Sequence, residues 1–118
     1  MNKWKKEVDA GSLFINQSLD SITFTENTMV LNFSNGASIT VLYGFEFSCN
    51  NKEKESIGFP ISSTRVLSAL GMKVKNVSII NDRDLFLVYS EGCEMNILSS
   101  EDSYECYIVR FGGVEIVI

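Results

Sequence analysis

Two stretches of this chain carry the same hairpin. Met29-Val30-Leu31-Asn32-Phe33 runs into Ser34-Asn35-Gly36, and Ala37-Ser38-Ile39-Thr40-Val41-Leu42-Tyr43 follows. Further on, Asp84-Leu85-Phe86-Leu87-Val88-Tyr89, Ser90-Glu91-Gly92 and Cys93-Glu94-Met95-Asn96-Ile97-Leu98 repeat the pattern. Apolar residues recur at every second position, as on the buried face of a strand, and glycine accepts the positive φ of a tight turn. Leu31, Phe33, Ser34, Gly36, Ile39, Val41 and Leu42 match Leu87, Tyr89, Ser90, Gly92, Met95, Ile97 and Leu98. Upstream, Leu19, Ile22 and Phe24 match Val74, Val77 and Ile79 after a one-residue difference in loop length. Each unit reads as strand, turn, strand, glycine turn, strand. The expected fold is therefore mostly β (α+β): an antiparallel β-sheet or half-barrel of about eight strands, built from two pseudo-repeated meanders at about residues 12–49 and 72–118.

The one helix signal lies between the repeats, at about residues 62–70. Ser62, Ser63 and Thr64 can cap a segment whose Val66, Leu67, Ala69 and Leu70 form an apolar face, and Gly71 can end it. So short a helix is not stable alone and has to dock on the sheet. Beyond the second hairpin come Tyr104 to Phe111, the Gly112-Gly113 turn, and the apolar segment Val114-Glu115-Ile116-Val117-Ile118. That last segment should be paired in the sheet, because an unpaired apolar edge invites aggregation. With 118 residues, residues 1–118 are expected to form a single domain around one core.

Little in the chain supports catalysis. It contains no histidine, which removes the commonest general base, the Ser-His and Cys-His nucleophiles and the commonest transition-metal ligand. No phosphate-binding glycine loop or dinucleotide fingerprint is present. Two carboxylates suffice for glycoside hydrolysis, but Glu101, Asp102 and Glu105, like Asp82 and Asp84, fall at strand ends and turns where acids are normally solvated. Asn81, Asp82 and Asp84 lack the spacing of a calcium loop. The expectation is no enzyme, no cofactor and no metal.

Cys49, Cys93 and Cys106 match no zinc spacing, and three cysteines cannot all pair within one chain. Read as free thiols, they suit a reducing compartment. The N-terminus begins with basic residues but lacks the apolar stretch of a signal peptide, and no apolar run is long enough to cross a bilayer. Together these point to the cytoplasm, with no membrane partner. Trp4, among lysines, is expected to pack back on the domain.

Charge narrows the choice of partner. The net charge is −5. From Asp84 onward, Asp84, Glu91, Glu94, Glu101, Asp102, Glu105 and Glu115 stand against Arg110 alone. Such a surface repels phosphate backbones, so no direct nucleic-acid partner is expected, and it steers a basic protein inward. Many acidic proteins carry charge for solubility alone. The segment Asp102-Ser103-Tyr104-Glu105-Cys106-Tyr107 adds aromatics to acids, the mixture of an interface anchor with charge-pairing neighbours. The candidate protein-binding residues are Glu101, Asp102, Tyr104 and Glu105, with Glu46, Glu53 and Glu55 flanking the charged loop after Cys49. A small-ligand-binding or structural β domain is the alternative.

The ending Ser103-Tyr104-Glu105-Cys106-Tyr107, followed by Phe111-Gly112-Gly113 and an apolar last strand, resembles a family of small bacterial domains that end in Tyr-Glu-x-Trp, Gly-Gly and a hydrophobic strand. Leu31, Phe33 and Gly36 match that family's Leu-x-Phe-x-x-Gly hairpin, while Tyr107 stands where the family carries Trp. Such domains are similar to immunity proteins of polymorphic toxin systems, including contact-dependent growth inhibition. The resemblance implies a cytosolic antidote that binds one cognate toxin domain and blocks its active site or substrate access. Many such toxins are nucleases with basic channels.

Overall fold

A computed structural model describes residues 9–50, 52–103 and 105–118. Trp4 and Tyr104, and with them the readings placed on those two side chains, lie outside the described residues. The chain runs through helix α1 (Ala10–Phe14), strands β1 (Leu19–Phe24), β2 (Met29–Phe33), β3 (Ser38–Val41), β4 (Gly44–Cys49) and β5 (Glu55–Gly58), and a 3₁₀ turn (Val66–Ala69). Strands β6 (Val74–Ile80), β7 (Asp84–Tyr89), β8 (Cys93–Ile97), β9 (Tyr107–Phe111) and β10 (Val114–Val117) follow. They form two antiparallel sheets of five strands each, ordered β1-β2-β3-β9-β10 and β5-β4-β8-β7-β6.

That order carries the repeat further than the hairpins do. Each half forms a three-stranded meander and then donates its next two strands to the edge of the other half's meander. Strand β4 pairs with β8, and β9 pairs with β3. The two halves are thus interlaced, and each sheet contains a seam between them. At the crossing point Ser18 bridges Lys73, and the surrounding hydrogen bonds come in matched pairs. Asn16 donates its N–H to the Val74 carbonyl (2.8 Å) and Gly71 donates to that of Leu19 (2.8 Å). Leu19 donates to Met72 (3.0 Å) and Val74 to Gln17 (2.9 Å); Ser34 donates to Ser18 (3.0 Å) and Ser90 to Lys73 (2.8 Å). Exchanging Asn16 with Gly71 and Leu19 with Val74 maps one member of each pair onto the other. The matched residues Asn16 and Gly71 both hold positive φ, at 69° and 83°, which an asparagine or glycine tolerates best.

Alternation decides what lies between the sheets. Met29, Leu31 and Phe33 on β2, and Leu85, Leu87 and Tyr89 on β7, point inward, while Asp84, Phe86 and Val88 face out. Ile39, Val41, Phe45, Phe47, Met95 and Ile97 join them in one core. Burial of such side chains at roughly 25 cal/mol per Å² is the main force holding two half-buried sheets together. Helix α1 closes one side: Asp9 caps it by accepting from the Gly11 N–H (2.9 Å), and the helix rests on β6, so the first half's helix covers the second half's strand.

Three details differ from the sequence-based expectation. The helix expected over residues 62–70 is a single 3₁₀ turn. Glu55 holds Thr64 and Arg65 in place, and Gly71 turns left-handed directly into β6, leaving no room for a longer helix. Helix α1 and strand β5 were not anticipated, since one is five residues long and the other carries a single large apolar residue.

The third difference is a correction. Cys49 and Cys93, read as free thiols, are directly opposite each other in the β4–β8 ladder and form a disulfide, with Cα atoms 4.0 Å apart. Cys106 is the free thiol among the described residues, and it is buried. The pairing follows from β4 crossing into the second sheet, which no spacing in the chain reveals. The argument from reduced cysteines to a cytoplasmic location therefore loses its premise. Among the described residues no helix is long and apolar enough to cross a membrane.

Two buried tyrosines make a test of the core. The Tyr107 hydroxyl donates to the Arg83 carbonyl at 2.6 Å, whereas the fully buried Tyr89 hydroxyl has no hydrogen-bond partner among the described residues. Burial pushes the Tyr89 pKa upward. A partnerless buried hydroxyl costs stability, and a satisfied one contributes about 1 kcal/mol. Tyr89→Phe is expected to leave urea stability unchanged or raise it by up to about 1 kcal/mol, whereas Tyr107→Phe lowers it by about that amount. The sign with pH follows. Above about pH 10 the unfolded tyrosine ionises while the folded one holds its proton, so folded stability falls as pH rises. Tyr89→Phe should remove part of that alkaline loss.

Candidate protein-binding face

The acidic residues singled out from the sequence fall into two groups at different places on the second sheet. Glu101, Asp102 and Glu105 sit on the crossover from β8 to β9, residues 98–106, at the end of the sheet where β4 and β7 begin. Glu46, Glu53 and Glu55 belong to the β4–β5 hairpin, with Glu53 in its loop at the opposite end.

The crossover is anchored at many points. The Arg83 guanidinium turns inward, donating to Ser99 Oγ (3.3 Å) and to the Ser100 carbonyl (2.9 Å). Asp84 Oδ1 accepts from the Ser99 N–H (2.9 Å) and hydroxyl (2.7 Å). Buried Cys106 accepts at sulfur from the Ser100 N–H (3.2 Å). On the far side the Cys106 carbonyl accepts from Leu42 (2.9 Å) and Tyr43 (3.1 Å), while its N–H donates to Ile118 (2.7 Å). These bonds hold both ends of the segment that carries the exposed carboxylates, which limits the ordering cost of binding.

Glu101, Asp102 and Glu105 are exposed. Among the described residues the ion pairs are Lys54–Glu46, Arg65–Glu55 and Arg110–Glu115, so the three crossover carboxylates have no internal cation. Arg83, the neighbouring cation, is committed to the Ser99 and Ser100 oxygens.

The second group is different. Glu55 accepts from the Thr64 hydroxyl and the Arg65 N–H (2.8 Å) and pairs with Arg65 Nε at 3.5 Å. Its carboxylate fastens the linker between the halves. Glu46 is half-buried and pairs with Lys54 at 3.4 Å. Glu53 is exposed among Lys52 and Lys54, and its carbonyl accepts from Arg65. Among the described residues, the hairpin charges are therefore largely compensated, and the crossover charges are not.

An aromatic beside the crossover completes the face. Tyr43 is 44% exposed, and its backbone bond to Cys106 places it next to Glu105. Strand parity from Ile39 and Val41 would have put Tyr43 inside. The chain leaves the first sheet after Val41 and enters the second at Gly44, and that corner breaks the alternation. The signal available in the sequence was Gly44 itself, at which the Cβ of any other residue would meet the Ile57 carbonyl at 2.9 Å.

Two surface hollows accompany these features. One, of about 200 Å³, lies on the outer face of the second sheet between Glu46, Ser48 and Lys54 on one side and Ile80, Phe86 and Glu94 on the other. The second, of about 350 Å³, lies at the β9–β10 turn beside Arg110 and Phe111. Among the described residues no group of three His, Cys, Asp or Glu side chains converges to hold a metal. No family model, curated protein or solved structure matches this chain.

Proposed function

We propose that this chain is an immunity protein that binds a cognate bacterial toxin domain and blocks its active site or substrate access. It acts by binding and not by catalysis. The observation that carries this reading is the anchored crossover, whose Glu101, Asp102 and Glu105 carboxylates stand exposed, outside every ion pair among the described residues, beside exposed Tyr43. Exposed carboxylates on a loop held at both ends attract lysine and arginine side chains, and a tyrosine supplies contact area at low entropic cost. A toxin with a basic substrate channel, a nuclease above all, presents the complementary charge. The antidote would then act in the cytoplasm, where such a toxin meets its substrate.

Co-expression with the toxin domain encoded by the adjacent reading frame tests the reading. The expected result is a neighbour that arrests growth alone, is co-purified by this chain and is harmless in its presence. A harmless neighbour, or a toxic one that neither binds nor is neutralised, would remove the reading.

A further inference from the structure

The disulfide occupies a particular place in the interlaced fold. Cys49 belongs to the first half and Cys93 to the second, so the bond joins the halves across the β4–β8 seam. It lies at the root of the β4–β5 hairpin. Beyond it Asn50 takes a positive φ of 49° and donates its N–H to the Gly92 carbonyl (3.0 Å), and Lys52 donates to Cys49 (2.9 Å). In the other sheet the residue matched to Cys93 is Ala37, next to the matched glycine, so the β3–β9 seam has no such tie. One donated hairpin is covalently clasped and its counterpart is not.

A groove on the outer face of the same sheet straddles the seam that the clasp ties from the core side. Glu46, Ser48 and Lys54 come from the donated hairpin, whereas Ile80, Phe86 and Glu94 come from the receiving half. The groove keeps its shape only while the hairpin stays docked. Docking rests on the β4–β8 ladder, the Glu55 contacts to Thr64 and Arg65, and the disulfide. Cys49 is half-buried, while Cys93 is 1% exposed, so Cys49 is the more accessible residue of the pair.

We infer that Cys49–Cys93 is a thiol-responsive clasp, whose reduction loosens the β4–β5 hairpin and the groove it borders while leaving the first sheet in place. A small thiolate of the glutathione class attacks Cys49 Sγ, the S–S bond breaks, and Cys93 leaves as thiolate. A second small thiolate attacks the small-molecule sulfur of the mixed disulfide and releases Cys49. Two small thiols become one disulfide, and their two electrons and two protons reside on Cys49 and Cys93. Re-oxidation by the small disulfide runs the same steps backwards. The clasp is independent of the toxin reading, although a cytoplasmic antidote would meet such thiols.

Hydrogen exchange of the full chain in reduced and oxidised glutathione tests this. With the thiol state verified by alkylation and mass, reduction should speed exchange of the β4 and β5 amides by about tenfold or more. The amides of β1, β2 and β3 should change little, and oxidised glutathione should restore the original rates. Cys49→Ala/Cys93→Ala, in oxidising buffer, should exchange like reduced wild type and ignore thiol. Unchanged β4–β5 exchange in the reduced chain, equal acceleration of both sheets, or failure of the pair to re-form would each overturn the clasp.

Discussion

Replacing Asp102 and Glu105 together by lysine is expected to slow association with a basic toxin partner by about tenfold or more at low ionic strength. Both side chains are exposed, and neither belongs to an ion pair among the described residues. The substitution therefore leaves the fold almost untouched and acts on the field that guides encounter. Stopped-flow association measures it directly, and unchanged urea stability of the variant separates the two effects. Adding Tyr43→Ala should act mainly on dissociation, since an exposed ring contributes contact area and not long-range attraction. Charge reversal of Glu55 would behave otherwise. Its carboxylate holds Thr64 and Arg65, so that variant loses stability before it loses affinity. An unchanged association rate for the Asp102/Glu105 variant would take the crossover out of the binding face.

Phe14→Ala is expected to cost about 3–5 kcal/mol of unfolding free energy, read from the midpoint of urea unfolding. Phe14 is wholly buried, and its ring meets that of Phe33 at 5.1 Å with the planes tilted by 56°. It also belongs to the helix that lies across β6, so it ties the first half to the second. The matched position in the other half, two residues before Gly71, is Ala69, which is buried but small. The pseudo-symmetry is therefore broken in volume, and no second large ring can take up the space that Phe14 leaves. Domains of this size are stable by about 5–15 kcal/mol, so the loss consumes a large share. Phe14→Leu, which retains most of the volume, should cost clearly less. A Phe14→Ala variant as stable as the wild type would mean that α1 is not part of the core.

What could be read from the chain was local. The turns at Gly36 and Gly92, the inward faces of β2 and β7, and the correspondence of Leu31 with Leu87 all follow from alternation and from a residue that tolerates positive φ. What could not be read was where each half sends its fourth strand. Period-two patterning says which side of Phe45 and Phe47 is buried, but not against which sheet. The Cys49–Cys93 bond was hidden for that reason, because it exists only once β4 lies beside β8. Tyr43 was hidden by the same crossing, as its exposure results from a corner where alternation stops. At the candidate site, Glu101, Asp102 and Glu105 were legible as a charged turn. That Arg83 would turn away from them toward Ser99 and Ser100 was not, since it depends on the β6–β7 turn meeting the crossover. Glu55 shows the opposite limit: a carboxylate beside a charged loop looks solvated in sequence, yet it serves as an internal fastener.

Ionic strength offers the most direct test of the central claim. The association rate of the purified chain with its cognate toxin domain would be followed from low salt to well above physiological salt. A binding face built on Glu101, Asp102 and Glu105 predicts a rate that falls steeply as salt screens the field, and a flatter dependence when Asp102 and Glu105 are lysines. A tight complex whose rate ignores salt, in wild type and variant alike, would contradict it.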